Sequence, residues 1–218
     1  MNLLHTLHVP PGDGPFPTVI ALHGWGAGAH DLLGLAPFLA GERVLTLCPQ
    51  GRTRLSIGPG AEGYGWFPLE RGRPPEARAF HKASRELRAF VDAACERYPI
   101  DRRRTVALGF SQGGLMAIDL ALRAAERFAG LVVLSSWMPE ILAANLPETA
   151  AQKGFPVLLI HGTEDPQVEI ARARESRPIF ERFGVDLTYH EFAMGHEIRS
   201  DALTAIVRWL QEKVLDRP

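Results

Sequence analysis

Residues 105–114 read Thr-Val-Ala-Leu-Gly-Phe-Ser-Gln-Gly-Gly and carry the strongest structural signal in the chain. The nearly continuous apolar run 105–110 is typical of a strand that is buried on both faces of a parallel sheet. Ser111 follows directly, between Gly109 and Gly113, in the pattern Gly-x-Ser-x-Gly. A helical pattern begins at Gly113, so these residues predict a strand, a sharp turn at Ser111 and then a helix.

The strand pattern recurs along the chain in both directions from this point. Short apolar runs, each bounded by turn residues, occupy residues 18–23, 44–48, 131–135, 157–161 and 185–192. The last run alternates more between polar and apolar residues, as an edge strand does. Helical patterns lie between the runs, at residues 76–98, 113–128, 168–183 and 198–214. The alternation predicts an α/β fold with a mostly parallel central sheet and helices on both faces, and a single domain over residues 1–218.

Composition limits the classes of function. The chain has 218 residues, of which 46% are apolar and 22% are charged, and its formal net charge is −1. This length suffices for one buried core, and the near-zero charge lacks the broad attraction on which binding to nucleic acids or anionic membranes relies. No apolar run approaches the roughly 20 residues needed to cross a bilayer, and the first ten residues lack the features of a signal peptide. The two cysteines, Cys48 and Cys95, argue against a disulfide scaffold, so we expect a cytoplasmic protein without stable membrane insertion and without nucleic-acid partners.

Ser111 is the candidate nucleophile. A serine on a sharp strand-to-helix turn is held in a strained backbone conformation, and small residues two positions before and after it let neighbouring backbone pass close by. The helix that follows directs its unpaired N–H groups at the serine, where they favour a developing oxyanion. The alternative interpretation is a tight turn with a capping serine.

A nucleophilic serine needs a general base and an acid that orients the base, and in this architecture the acid precedes the histidine in the chain. Asp165 follows the strand 157–161 and is the preferred acid, because Pro166 holds it in an extended conformation. Glu164 is the competing candidate, and Asp165 could instead cap the helix that begins near Val168.

His196 is the candidate base. Of the eight histidines, only His196 lies in a loop that follows the last predicted strand and comes after the acid. His161 lies at the end of a strand, where a packed and hydrogen-bonded histidine is expected rather than a catalytic one.

Two backbone N–H groups are expected to bind the negative charge of a tetrahedral intermediate. One belongs to Gln112, the residue after the candidate nucleophile. The other should come from the turn at residues 23–28, which reads His-Gly-Trp-Gly-Ala-Gly. We expect it to be the N–H of Trp25, with Gly24 and Gly26 as neighbouring alternatives. This turn lacks the Gly-Lys-Ser/Thr ending of a phosphate loop and the spacing of a dinucleotide fingerprint.

Residues 51–75 interrupt the alternation of strands and helices. Six Gly and four Pro in this segment predict a long loop, and its aromatic residues argue against disorder. The segment is expected either to fold over the sheet edge or to line a substrate site, and its apolar residues could supply a homodimer contact. Trp66 and Phe67 from this segment, with Trp137 and Met138 after the strand 131–135, are the expected apolar substrate-binding residues.

These motifs together resemble the phospholipase/carboxylesterase family of the α/β-hydrolase fold, which includes the acyl-protein thioesterase-like enzymes. The matching segments are Leu-His-Gly-Trp-Gly at 22–26, Gly-Phe-Ser-Gln-Gly at 109–113, His-Gly-Thr-Glu-Asp at 161–165 and Gly-His at 195–196. Pro68 stands where an acidic residue is common in the family, and Trp25 replaces a smaller aliphatic residue. The resemblance implies an α/β-hydrolase fold without a separate cap domain. It also implies a nucleophile, base, acid and two oxyanion donors, which are Ser111, His196, Asp165, Trp25 and Gln112.

The expected function is the hydrolysis of small-molecule carboxylic esters with short to medium acyl chains, through a Ser-His-Asp triad and an acyl-enzyme, with no metal and no organic cofactor. An acyl-thioesterase or lysophospholipase would use the same triad, and a dienelactone-type hydrolase more often has Cys in place of the serine. A non-catalytic binding protein on the same scaffold would not need Ser111, Asp165 and His196 in this order. A flavodoxin-like nucleotide binder would leave the Gly-x-Ser-x-Gly turn and Gly195-His196 unexplained.

Overall fold

A computed structural model describes residues 2–39, 43–69 and 76–216. The strands in these ranges are β1 (His5–His8), β2 (Phe16–Leu22), β3 (Leu45–Pro49), β4 (Thr53–Gly58), β5 (Ala61–Gly65), β6 (Ile100–Phe110), β7 (Gly130–Leu134), β8 (Pro156–Gly162) and β9 (Asp186–Phe192). The α-helices are α1 (Ala77–Arg97), α2 (Gln112–Arg123), α3 (Glu140–Ala143), α4 (Ile170–Arg182) and α5 (Ser200–Leu210). The strands and helices alternate along most of the chain, as the sequence predicts.

Seven of these strands form one sheet in the order β1-β3-β2-β6-β7-β8-β9. All neighbouring pairs are parallel except β1 and β3, which are antiparallel. Strands β3, β7 and β8 are buried along their whole length, which explains why they contain almost no polar residues. Strand β9 lies at the edge and is half-buried, in agreement with its more alternating sequence.

Hydrophobic layers cover both faces of the sheet. On one face α1, α2 and α4 pack through side chains such as Phe90, Leu115 and Phe180. On the other face α5 packs through Ile206 and Trp209, together with a 3-10 helix at Leu32–Phe38. This is the α/β-hydrolase arrangement, and it confirms the predicted fold. In the ranges that the structure describes, no segment between strands forms a separate cap domain.

Several boundaries and several short elements differ from the sequence prediction. Strand β6 begins at Ile100 rather than at residue 105: Ile100 pairs with Phe16, and the polar residues 101–104 form an irregularity before the regular pairing resumes at Thr105, so they do not contribute to the apolar pattern. Strand β1 is not predicted by the sequence, since its four half-buried residues are too few to give a period. The helix predicted over residues 113–128 ends at Arg123, and α4 begins at Ile170.

The largest difference lies in residues 51–75, for which the sequence predicts a loop. Strands β4 and β5 form an antiparallel hairpin there, and residues 70–75 lie outside the described residues. The hairpin is hydrogen-bonded to the turn at residues 24–28, since Gly26 N–H donates to Tyr64 O at 2.9 Å and Tyr64 N–H donates to Ala27 O at 2.8 Å. The two glycines of β5 weaken the strand pattern in the sequence, but Gly63 allows this close approach, because a Cβ there would lie 2.2 Å from Gly26 O.

Among the helices in the described residues, none is both long enough and apolar enough to cross a bilayer.

Candidate active site

Ser111 lies on the turn between β6 and α2, in a conformation that L-residues rarely adopt. Its backbone angles are φ 53° and ψ −119°, which costs on the order of 1–3 kcal/mol and persists only where surrounding contacts impose it. Two hydrogen bonds fix the turn: Ser111 N–H donates to Leu134 O at 2.9 Å, and Gly114 N–H donates to Ser111 O at 2.9 Å. The turn therefore presents the Ser111 side chain at the carboxyl end of the sheet.

The two glycines of the Gly-x-Ser-x-Gly motif are required by close backbone contacts. A Cβ on Gly109 would lie 2.1 Å from Gly113 O, and a Cβ on Gly113 would lie 2.0 Å from Leu22 O. Both distances are far below van der Waals contact, so any side chain at these positions would force the elbow apart. The close passage of backbone expected from the motif is therefore present on both sides of the serine.

His196 contacts both Ser111 and Asp165. Its Nε2 lies 2.9 Å from Ser111 Oγ, and its Nδ1 lies 2.7 Å from Asp165 Oδ2. The loop between β9 and α5 carries this histidine, and the Phe110 ring packs against the imidazole with ring centroids 4.8 Å apart. The three candidate residues thus form one continuous hydrogen-bonded chain, with Phe110 as a packing partner that the sequence analysis did not single out.

Asp165 is the acidic residue that faces the histidine. Its Oδ1 accepts hydrogen bonds from Gln167 N–H at 2.8 Å and Val168 N–H at 2.9 Å, which leaves Oδ2 for His196. Glu164 is exposed. Asp165 Oδ1 thus binds the turn of residues 165–168, which precedes α4, while the N-cap position of α4 is Glu169, so Asp165 does not cap that helix.

The candidate oxyanion donors lie beside the nucleophile. Gln112 is the first residue of α2, so its N–H has no partner within the helix. A Cβ on Gly24 would lie 3.4 Å from Ser111 Cβ, so the backbone leading into Trp25 runs next to the serine. Gly24 and Gly26 are the two alternatives to Trp25 as oxyanion donor. The N–H of Gly26 is already engaged by Tyr64 O, so Gly26 is not available for that role.

The Gln112 side chain joins the nucleophile turn to the chain after β5. Its Oε1 accepts from Trp66 N–H at 2.8 Å, and its Nε2 donates to Phe67 O at 2.7 Å. Trp66 Nε1–H donates in turn to His23 O at 2.9 Å, and its ring stacks on that of His23. These bonds connect the turn at residues 23–28, the hairpin and α2, which are the segments around Ser111.

The four expected substrate-binding residues differ in how much of each side chain is exposed. Trp66, Phe67 and Met138 are 5%, 1% and 1% exposed and belong to the hydrophobic core, so they offer a substrate little surface. Trp137 is half-buried at the margin of that core. Trp25, by contrast, is 37% exposed directly beside the nucleophile turn. Aromatic composition alone did not distinguish packed residues from exposed ones, because both kinds follow strand ends.

The two cysteine thiols are poor alternative nucleophiles. Burial raises the pKa of Cys48 to about 12, and burial also raises the pKa of Cys95. Since the thiolate is the reactive form, both side chains stay protonated and inert at neutral pH. Both are free thiols.

His23 is held as a neutral imidazole below the oxyanion turn. Its Nε2 accepts a hydrogen bond from Gly51 N–H at 3.0 Å, so the ring proton lies on Nδ1 and is donated to Gly24 O at 2.7 Å. Burial lowers the pKa of His23 from its usual value of 6.5. Protonation would replace an acceptor with a second donor and break the bond to Gly51.

We expect the free energy of unfolding to decrease as the pH falls below about 6.5, because the unfolded chain then protonates His23 while the folded protein does not. Above the unfolded pKa both states are neutral at this residue, and its contribution is fully present. Denaturant unfolding at pH values on both sides of 6.5 measures the effect, with His23→Asn as the control whose pH dependence in this window should be smaller. Equal pH dependence in the two proteins would contradict the assignment. Glu191, whose pKa the Arg174 hydrogen bond lowers to about 2, titrates below this window.

The fold and the arrangement of Ser111, His196 and Asp165 together define a protein of the α/β-hydrolase fold class. Within that class the chain belongs to the phospholipase/carboxylesterase family, whose sequence profile matches residues 7–214. The expected family is thereby confirmed over nearly the whole chain.

Individual relatives agree with this family. The chain is 26% identical over 161 residues to "Probable carboxylesterase SOBER1-like" of Arabidopsis thaliana, covering 71% of this chain and 61% of the relative. It is 31% identical over 114 residues to acyl-protein thioesterase 1 of Gibberella zeae, covering 51% of this chain and 48% of the relative. The match therefore spans about half to three fifths of the length of these two proteins. The crystal structure of esterase PE8 superposes with a TM-score of 0.85 at 27% identity, covering 98% of this chain and 100% of the esterase.

Proposed function

We propose that this protein is a serine carboxylesterase that hydrolyses small-molecule carboxylic esters with short to medium acyl chains through an acyl-enzyme. The observation that supports this most is the hydrogen-bonded chain from Ser111 through His196 to Asp165, on a turn that strains the serine backbone. Such strain is retained where the side chain must be presented in a fixed direction.

In the first half of the reaction, Ser111 Oγ attacks the ester carbonyl while His196 Nε2 takes the serine proton. Asp165 Oδ2 keeps the histidine proton on Nδ1 and stabilises the imidazolium that forms. The backbone N–H groups of Trp25 and Gln112 bind the negative charge of the tetrahedral intermediate. His196 then donates its proton to the leaving alcohol, and the acyl group remains on Ser111.

In the second half, water replaces the alcohol. His196 Nε2 accepts a proton from the water as the water attacks the acyl-enzyme, and the same two N–H groups bind the second oxyanion. The proton then returns to Ser111 Oγ as the carboxylic acid leaves. Every proton in this cycle moves through one nitrogen, so no metal or organic cofactor is required by the mechanism.

A narrow apolar groove supports the proposed preference for an apolar acyl or alcohol group. The groove is lined by residues of α1, α2 and the α3 region, including Phe80, Leu115, Ile141 and Leu142. Leu115 lies in the first turn of α2, the helix that begins directly after Ser111. The groove therefore shares α2 with the nucleophile turn, and we propose that it takes the far end of the acyl or alcohol group.

Thioester hydrolysis is the second candidate, and the similarity to a fungal acyl-protein thioesterase favours it. The same triad and oxyanion donors would serve, with a thiol as leaving group. Esters and thioesters of the same acyl group therefore need to be compared directly.

The test is a series of chromogenic esters from acetate to palmitate, together with the thioesters of the same acids. We expect the largest kcat/KM on a short or medium ester, with palmitate lower by at least about tenfold, because each methylene that a site cannot accommodate costs on the order of 1–3 kcal/mol. A preference for palmitoyl thioesters would favour thioester hydrolysis, the second candidate function, over ester hydrolysis. Absence of hydrolysis throughout the series would overturn both.

A further inference from the structure

We propose that His161 is a positioning residue for the acid Asp165, and that it acts through the backbone of Val168. This inference rests on the proposed function, since it concerns the same Ser-His-Asp chain. His161 lies near the end of β8, is fully buried and takes no direct part in the proton transfers described above.

Hydrogen bonds link His161 to Asp165 in two steps. His161 Nε2 lies 2.8 Å from Val168 O, and Val168 N–H donates to Asp165 Oδ1 at 2.9 Å. Since a carbonyl oxygen can only accept, the His161 proton must lie on Nε2. His161 thereby closes the turn of residues 165–168, whose N–H groups hold one oxygen of the acid.

The second nitrogen of His161 agrees with this tautomer. Nδ1 is buried and has no hydrogen-bond partner among the described residues. A proton on Nδ1 would be a buried donor without an acceptor, which is costly, so the contacts favour the Nε2–H tautomer. His161 Nε2 also lies 3.5 Å from Asp165 Oδ2, so its N–H dipole is close to the acid.

These contacts determine which oxygen of Asp165 faces His196. Oδ1 is engaged by two backbone N–H groups of a turn that His161 closes, so Oδ2 is directed at His196 Nδ1, 2.7 Å away. A turn that opened by a fraction of an ångström would rotate the carboxylate and lengthen this bond. The effect would appear in the chemical step rather than in substrate binding, because His161 is buried behind the acid.

Two substitutions separate positioning from simple packing. The side-chain amide nitrogen of His161→Gln can reach the place of Nε2, whereas that of the shorter His161→Asn can reach only the place of Nδ1. We expect kcat for the best ester to stay within about threefold in His161→Gln and to fall by about 10- to 100-fold in His161→Asn, with KM changed less than about twofold in both. Denaturant unfolding of both variants shows whether either substitution disturbs the fold.

Two spectroscopic measurements make the test independent of the esterase assay. In wild-type protein, 15N-labelled histidine spectra should show His161 as the neutral Nε2–H tautomer. The strongly deshielded proton between His196 Nδ1 and Asp165 should be present in wild type and His161→Gln and weakened in His161→Asn.

Each outcome bears on one of the two proposals. A proton on His161 Nδ1, or a His161→Asn variant with wild-type kcat and an unchanged deshielded proton, would overturn the positioning role. Equal loss of kcat in both variants, in proportion to lost stability, would reduce His161 to a packing residue. Esterase activity that survives Ser111→Ala would overturn the proposed function, while the tautomer and the deshielded proton would still report on His161.

Discussion

Ser111→Ala should lower kcat for ester hydrolysis by about 10⁵–10⁶-fold, because removing the nucleophile of a triad costs about as much as removing all three residues. The remaining rate would come from the oxyanion donors and substrate binding alone. The folded structure should be retained, since alanine removes only the hydroxyl, which lies 2.9 Å from His196 Nε2, and leaves the hydrogen bonds of the elbow backbone in place. Steady-state hydrolysis of the best ester of the series measures the change.

Ser56→Ala is the matched control, because Ser56 is an exposed serine on β4. The control should retain full activity. Substantial hydrolysis by Ser111→Ala, after contamination has been excluded by an independent preparation, would assign the nucleophile to another residue.

Asp165→Asn should lower kcat by about 10⁴-fold, because the substitution stabilises the wrong tautomer of His196. The two N–H groups of Gln167 and Val168 need an oxygen, so the amide oxygen of the substituted side chain would stay on their side and its NH₂ group would face His196. His196 Nδ1 would then accept a hydrogen bond, its proton would move to Nε2, and it could no longer take the proton of Ser111. Measurement of kcat, with circular dichroism to verify folding, tests this expectation.

Glu164→Gln is the control for the acid. It makes the same change of charge one residue earlier, at an exposed side chain, and should change kcat by less than about threefold, because exposed charges interact weakly through water. If Glu164→Gln were the more damaging variant, the acid would be misassigned.

Local sequence predicted most of the sheet because its strands are buried. The runs that form β2, β3, β7 and β8 are apolar on both faces. This pattern can be recognised in the sequence without knowing which strands lie next to one another. The hairpin of β4 and β5 was not predicted, because it packs against the turn at residues 24–28 rather than into the core. Its two strands pair with each other, and Tyr64 alone forms a bridge to Ala27 of that turn, so no hydrophobic pattern marks the hairpin in the sequence.

Trp66, Phe67 and Met138 show that sequence does not separate core residues from substrate-binding residues. An aromatic or thioether side chain after a strand end suits a substrate cleft and a core equally well by composition. Three-dimensional packing buried all three, and the hydrogen bonds of Gln112 hold the backbone of the two aromatic residues in place. Trp25 stayed exposed because its ring packs over Gly65 at the surface.

The sequence by itself determined the α/β order, the family and the position of the elbow at Ser111, since the Gly-x-Ser-x-Gly motif and the runs on either side of it are contiguous in the chain. Only the tertiary structure decided that Asp165 rather than Glu164 faces His196, that Gly26 is engaged by Tyr64, and that His161 closes the turn of the acid. The physical reason is separation along the chain. His196 meets Asp165 across 31 positions and Ser111 across 85, and such contacts are set by how strands and loops pack, not by local preference.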